Sequence, residues 1–154
     1  MKLSANFILE EMTKSQTALR KGIPNNPNAT QIDALRELCL NVLQPIRSYF
    51  DKPVTVSSGY RSCELCIAIG SSIDSQHAKG EAADIEIIGL DNKELFEYIK
   101  NNIDFDQMIL EFYDGSPNSG WIHVSYVSPK ENRKQTLRAY RDEETQKVRY
   151  QPYS

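Results

Sequence analysis

Two periodicities follow one another along this chain, and their order limits the fold more than any other feature. Helical spacing of apolar residues dominates the first third, and period-two alternation dominates the last. Across residues 4–20, Phe7, Ile8, Met12 and Leu19 recur at broadly helical intervals, with Ser4 placed to cap them. The segment GIPNNPN, residues 22–28, then breaks the pattern with two prolines. A second helix is predicted from Thr30, with Asp33 three residues on as capping partner. Its stripe of Ile32, Leu35, Leu38, Cys39, Val42 and Leu43 reads as the main helical wall of a core. Pro45 lies inside this pattern and predicts a kink or break before residues 46–50.

A short strand over 53–57 and a short helix over 62–69 follow, and a polar, Ser-rich loop leads into a strand over 82–88. Asp91 with Glu94 is a capping-box pattern for a helix over 93–102. Two alternating segments, 107–113 and 121–127, flank the turn-rich DGSPNSG and predict a hairpin. Residues 136–141 and 147–150 flank DEETQ and predict another. Helices first and antiparallel strands later give an α+β fold, an antiparallel sheet against N-terminal helices, with residues 1–154 as a single domain.

Composition removes several classes of function. Lys and Arg total 18 against 21 Asp and Glu, a net charge of −3, so no basic excess exists to neutralise a nucleic-acid backbone. No apolar run approaches the roughly 18 residues that cross a bilayer, so no membrane partner is expected. The opening residues reach Glu10 and Glu11 before any apolar stretch of signal-peptide length forms. Cys39, Cys63 and Cys66 are an odd number at irregular spacing, which is no disulfide framework. A reducing, cytoplasmic setting and a monomeric chain are the expectations.

Only two histidines occur, His77 in Ser75-Gln-His-Ala-Lys-Gly80-Glu-Ala-Ala-Asp84 and His123 in Trp121-Ile-His-Val-Ser125. Either one alone is better read as a hydrogen-bonded structural residue. Together with Asp84 they make two imidazoles and one carboxylate, a common catalytic zinc set that leaves a fourth position for water. Strand parity supports the grouping. Ala83, Ile85 and Ile87 alternate with Asp84 and Glu86, and Ile122, Val124 and Tyr126 alternate with Trp121, His123 and Ser125. One face of each strand is then core and the other a polar seam, and Gly80 allows the tight turn that folds the His77 loop back over Asp84.

These motifs resemble a known family. Ser58-Gly-Tyr-Arg-Ser62, the Ser-x-His-x-x-Gly-x-Ala-x-Asp run from Ser75 to Asp84, and Trp-x-His-Val-Ser from Trp121 to Ser125 are similar to the zinc D-Ala-D-Ala carboxypeptidases and the phage L-Ala-D-Glu endolysin peptidases. Those proteins share their core with the hedgehog signalling domain. The resemblance runs from about Leu3 to the C-terminal hairpin. It implies one zinc ion per chain held by His77, Asp84 and His123, and peptidoglycan stem peptides as substrate. Arg61 would lie beside the metal and steady an oxyanion or a substrate carboxylate. Ser75 and Gln76 would position the His77 loop or substrate, and Ser125 substrate, rather than act as nucleophiles, since no third histidine is left to activate a serine. With no export tag in these residues, the resemblance implies either a phage-type lysis enzyme made in the cytoplasm and released by another route, or a peptidase whose export is not encoded here.

The chain departs from the family at Gly120, where many relatives carry an Asp or Glu three residues before the last histidine ligand. Glu111 is the replacement expected as proton acceptor: a hairpin opposing Tyr113 and Trp121 would set Glu111 directly across from His123. Asp114 and Glu86 rank behind it. The missing carboxylate also permits a second reading, a catalytically inactive, zinc-stabilised domain that binds cell wall or protein. Cys63-Glu-Leu-Cys66 is a weak redox or metal signal without a βαβ context, and a mixed site with His77 and His123 would leave Asp84 and Arg61 unexplained. The two cysteines are expected as residues of the 62–69 helix, at least one of them buried.

Overall fold

A computed structural model describes residues 1–154, and it opens not with a helix but with a small hairpin of β1 (Lys2–Ser4) and β2 (Phe7–Ile8). Leu3 and Phe7 both enter the core from this hairpin, which a helix starting at Ser4 would not allow. Ser4 caps nothing; its hydroxyl donates to Gln44 Oε1 at 2.8 Å. The helical remainder is split into α1 (Leu9–Thr13) and α2 (Gln16–Lys21), because Lys14 is extended and Ser15 restarts the helix by accepting from the Ala18 N–H at 3.2 Å.

The next helix, α3 (Ala29–Leu38), starts earlier than Thr30. Asn28 Oδ1 accepts from the Gln31 N–H while Gln31 Oε1 accepts from the Asn28 N–H, each at 2.8 Å, a reciprocal box that precedes the Thr30 pattern. Pro45 does not interrupt the helical path. The chain widens into a π-helical turn over Cys39–Leu43 and continues as α4 (Gln44–Phe50), with Pro45 in the first turn of α4, where its missing N–H is tolerated. The expected stripe is fully interior: Leu35, Leu38, Cys39, Val42, Leu43 and Ile46 are all buried. Burial also pushes the Cys39 thiol up to about 12, consistent with a core residue.

The remaining elements are β3 (Thr55–Ser58), α5 (Cys63–Ala68), β4 (Ala82–Glu86), α6 (Asn92–Asn102), β5 (Gln107–Glu111), β6 (Trp121–Ser125), β7 (Gln135–Arg141) and β8 (Val148–Pro152). α5 is capped by Ser62 and α6 by Asp91, whose Oδ1 accepts from the Lys93 N–H. The last six strands form one sheet in the order β3-β4-β6-β5-β7-β8. It is α+β as predicted, but not wholly antiparallel. β7 pairs with β5 in parallel, since the chain leaves β6, crosses over residues 126–134 and returns along the free edge of β5. Ala83, Ile85, Met108, Leu110, Ile122 and Val124 point from this sheet into the core, against the helical wall and against Leu95, Phe96 and Ile99 of α6. The opposite face is left for the polar seam. No helix is long and apolar enough to cross a membrane.

Between α5 and β4, residues Gln76–Lys79 make one 3₁₀ turn that lies against α3. Gln31 Nε2 donates to the Ala78 carbonyl at 3.1 Å, and Gly80 closes the turn at φ +76°. A Cβ at Gly80 would sit 2.5 Å from the Gln31 carbonyl oxygen, so neither the conformation nor the space admits a side chain. Gly80→Ala is therefore expected to destabilise the protein by about 2 kcal/mol or more. Urea unfolding monitored by circular dichroism checks this, and an unchanged midpoint would show that the turn tolerates a side chain.

Candidate metal centre

Three polar residues gather on the open face of the sheet. Asp84 on β4 is in register with His123 on β6 and with Ser58 on β3, so the three side chains share one row. His77 reaches the same point from the 3₁₀ turn. Its Nδ1 lies 2.7 Å from the Gly59 carbonyl oxygen, which fixes that nitrogen as the N–H donor and leaves Nε2 free to act as a ligand. The Arg61 N–H in turn donates to the His77 carbonyl at 3.1 Å, so the SGYRS segment and the His77 turn hold each other.

Asp84 Oδ1 stands 3.4 Å from His77 Nε2 and 3.2 Å from His123 Nδ1, and one donor atom from each of the three residues lies within 4.8 Å of the others. The edge of a tetrahedron built on metal–ligand bonds of about 2.0–2.1 Å is roughly 3.3 Å, so the two Asp84–imidazole spacings fit ligands of one small divalent ion. The burial fits too. His77, Asp84 and His123 are 3%, 8% and 9% exposed, and a carboxylate this deep needs compensating charge. Burial by itself raises the Asp84 pKa, but hydrogen bonds and charge from His123 and His77 outweigh it and hold the group well below the usual carboxylate range. Asp84 stays ionised.

Arg61 completes the inner arrangement. Its Nη2 is 3.4 Å from Asp84 Oδ2, and its Nε donates to Ser58 Oγ at 2.9 Å. The guanidinium thus occupies one carboxylate oxygen and leaves Oδ1 to face the imidazoles. Asn25 steadies the Arg61 backbone: its amide donates to the carbonyls of Thr13 (2.8 Å) and Tyr60 (2.9 Å), and its Oδ1 accepts from the Ser62 N–H at 2.7 Å. In the sequence, residues 22–28 read only as a helix breaker, and an Asn in a proline-rich stretch is the clamp's sole signal.

A cleft of about 520 Å³ opens over these groups, lined by Arg61, His77, Asp84 and His123 and, on the far side, by Glu111 and Tyr150. Glu111 reaches the cleft through a different register from the expected one. β5 and β6 pair Glu111 with Trp121 and Ile109 with His123, a slide of two residues that keeps Glu111 on the seam but makes it a diagonal neighbour of His123. The ladder stops there because Phe112 (φ +58°) and Gly120 (φ +65°) both turn left-handed, and Phe112 donates to Ala139 on β7 instead. Gly120 cannot carry the family's carboxylate in this arrangement: a Cβ there would collide with the Glu111 carbonyl oxygen.

Burial, and then the charge of Asp84, push Glu111 up to about 7, against lowering by His123, Trp121 and Arg61. The Trp121 indole N–H beside it is the one buried side-chain polar atom without a hydrogen-bond partner. Asp114 and Glu86 are differently placed. Asp114 Oδ1 accepts from the Ser116 N–H and closes its own exposed turn, and Glu86 does not line the cleft.

Ser75 and Gln76 line the cleft with their polar groups already engaged. Ser75 Oγ accepts from the His77 N–H, and Gln76 donates to Asp106 Oδ2 at 2.9 Å, an acid that also binds Arg133 at 2.8–3.0 Å. Ser125 is fully buried, exchanges hydrogen bonds with the backbone of Gln107, and does not reach the cleft, so the structure takes it out of the expected substrate-positioning set. Cys66 is buried with its thiol toward the Arg61 carbonyl at 3.7 Å, Cys63 is exposed, and neither joins the donor group.

The raised Glu111 pKa has a consequence for stability without metal. The folded state keeps the proton to about pH 7, whereas the unfolded chain releases it near 4.5, so stability falls as pH rises through that window. Glu111→Gln removes the dependence. In chelator, the variant is expected to exceed the wild type by about 2 kcal/mol at pH 8 and by little at pH 4. Denaturant unfolding at both pH values measures it, and an equal difference at the two would contradict the assignment.

A family model described as Peptidase M15 matches residues 5–125, which include every residue of the His77–Asp84–His123 group together with Arg61 and Glu111. No individual curated protein matches the chain closely. The match spans most of the chain, and its members are zinc-dependent peptidases. The chain therefore belongs to the Peptidase M15 family.

Proposed function

We propose that this protein is a zinc peptidase that hydrolyses peptide bonds in peptidoglycan stem peptides, of the D-Ala-D-Ala carboxypeptidase or L-Ala-D-Glu endopeptidase type, with residues 1–154 acting as one unit. The observation that carries the reading is the convergence of His77 Nε2 and His123 Nδ1 on Asp84 Oδ1, at 3.4 and 3.2 Å, in a cleft that also holds a carboxyl group poised near neutrality.

Zinc held by those three donors supplies Lewis acidity, acidifying water and polarising a carbonyl. Around it the side chains divide the remaining work. Glu111 takes the proton from the attacking water and returns it to the departing amine, a role suited to a carboxyl group whose pKa lies near the working pH. Arg61, fixed by Ser58 and Asp84, presents the rest of its guanidinium to the developing oxyanion or to a substrate carboxylate. His77 is held in its tautomer by Gly59, and the Gln76–Asp106–Arg133 bonds keep its turn in place. The substrate class rests on the family.

Gly120 favours a second reading, a zinc-stabilised binding domain without turnover, and one experiment separates the two. Zinc-loaded protein incubated with purified cell wall and muropeptides is expected to release new amino groups, to lose this activity with chelator and to regain it with zinc. Glu111→Gln is expected to lower the rate by about 100-fold or more while retaining one zinc per chain. Wall binding with one zinc and no release of amines would establish the inactive domain, and full activity in Glu111→Gln would move the proton acceptor elsewhere.

A further inference from the structure

The family match ends at Ser125, yet the cleft does not. Its far wall is built by Leu137 on β7 and Tyr150 on β8, from the C-terminal hairpin that lies beyond the matched residues. Strand order puts the two flanks of the cleft at opposite ends of the sheet. Arg61 follows β3 at one edge, the candidate ligands Asp84 and His123 stand on β4 and β6, Glu111 on β5, and Tyr150 on β8 at the other edge.

Register explains how a residue on the outermost strand reaches the site. Trp121, Glu111, Ala139 and Tyr150 form one row across four strands. The residue between Glu111 and Tyr150 is alanine, whose side chain ends at Cβ, so nothing of size separates the phenol ring from the cleft. Tyr150 is not there to build a core. It is 58% exposed on a strand exposed throughout its length, and an aromatic ring left in that position gains little from folding. A phenol hydroxyl is protonated at neutral pH and so can donate a hydrogen bond; partial desolvation and then the charges of Glu111 and Asp84 push the Tyr150 pKa further up.

We propose that Tyr150 is a specificity-determining residue, which with Leu137 grips the stretch of substrate peptide on the flank of the cleft opposite Arg61 by ring contact and a donated hydrogen bond. This rests on the peptidase reading, with a peptide lying across the sheet so that one flank meets the guanidinium and the other meets the phenol. The ring offers apolar area to a small side chain or backbone, and the hydroxyl offers one donor to a peptide carbonyl. A chain carrying the M15 ligand set with a different C-terminal segment would then cut a different range of peptides.

The test uses a purified disaccharide-pentapeptide muropeptide and the full zinc-loaded chain. In wild type, Tyr150→Phe, Tyr150→Ala and the control Tyr140→Phe, whose side chain lies on the other face of β7, KM and kcat are measured beside zinc content and thermal midpoint. Tyr150→Ala is expected to raise KM by about tenfold or more with kcat within about twofold, Tyr150→Phe to fall between it and wild type, and zinc content and midpoint to stay unchanged. Wild-type KM in Tyr150→Ala overturns the proposal while leaving the peptidase reading intact. The same muropeptide is titrated calorimetrically into Glu111→Gln and into Glu111→Gln with Tyr150→Ala. If wild type shows no turnover, the peptidase reading falls, and this titration still decides: a tenfold weaker Kd in the double variant supports the grip, whereas equal Kd values, or no binding to either, overturn it.

Discussion

The site depends on one buried carboxylate shared by three partners. Asp84 offers Oδ1 to two imidazoles and Oδ2 to Arg61, and every other feature of the region serves to bring those partners to it. An ionised carboxylate at this depth costs several kcal/mol unless compensated. Two imidazoles and one guanidinium at 3.4 Å supply that compensation and keep the carboxylate ionised. A divalent cation held by Oδ1 and the ring nitrogens would add to it. Fold and site are coupled in this way: β4 and β6 align Asp84 with His123 through the sheet, while the His77 turn is held from outside by α3 and by the SGYRS backbone.

Glu111 and Gly120 make a second, linked pair. The left-handed turn at Gly120 ends the β5–β6 ladder and packs against the Glu111 carbonyl, so a carboxylate at position 120 would demand a different loop. The same packing presents the Glu111 side chain to the cleft, beside the Trp121 indole and within the field of Asp84. A carboxyl group raised to about 7 weakens the fold at neutral pH, and its place in the cleft suits it to the proposed proton transfer.

What the sequence makes legible here is parity, and what it hides is register. Alternation along β4 and β6 placed Asp84, Trp121 and His123 on the seam, because side chains in a strand have no other choice of face. The same rule kept Glu111 on the seam despite a two-residue slide, since a slide of two preserves the face. The slide itself depended on left-handed residues at Phe112 and Gly120 that no periodicity reveals. The alternation along β6 also put Ser125 beside its neighbours, but not the backbone of Gln107 that closes over it. A helix cap at Asn28 rather than Thr30, and helix starts at Leu9 and Gln16 rather than one capped by Ser4, turned on competition among several good caps and on the burial of Leu3 and Phe7. The parallel return of β7 along β5, which carries Tyr150 to the cleft, is a long-range pairing with no local signature.

X-ray absorption at the zinc edge on the loaded protein measures the central geometry most directly. Two imidazole nitrogens and one carboxylate oxygen at about 2.0–2.1 Å, with one zinc per chain and no sulfur in the shell, is the predicted result. A shell containing sulfur at about 2.3 Å, which would bring in Cys63 or Cys66, or a protein that takes up no zinc at all, would contradict the assignment of His77, Asp84 and His123 as the metal centre.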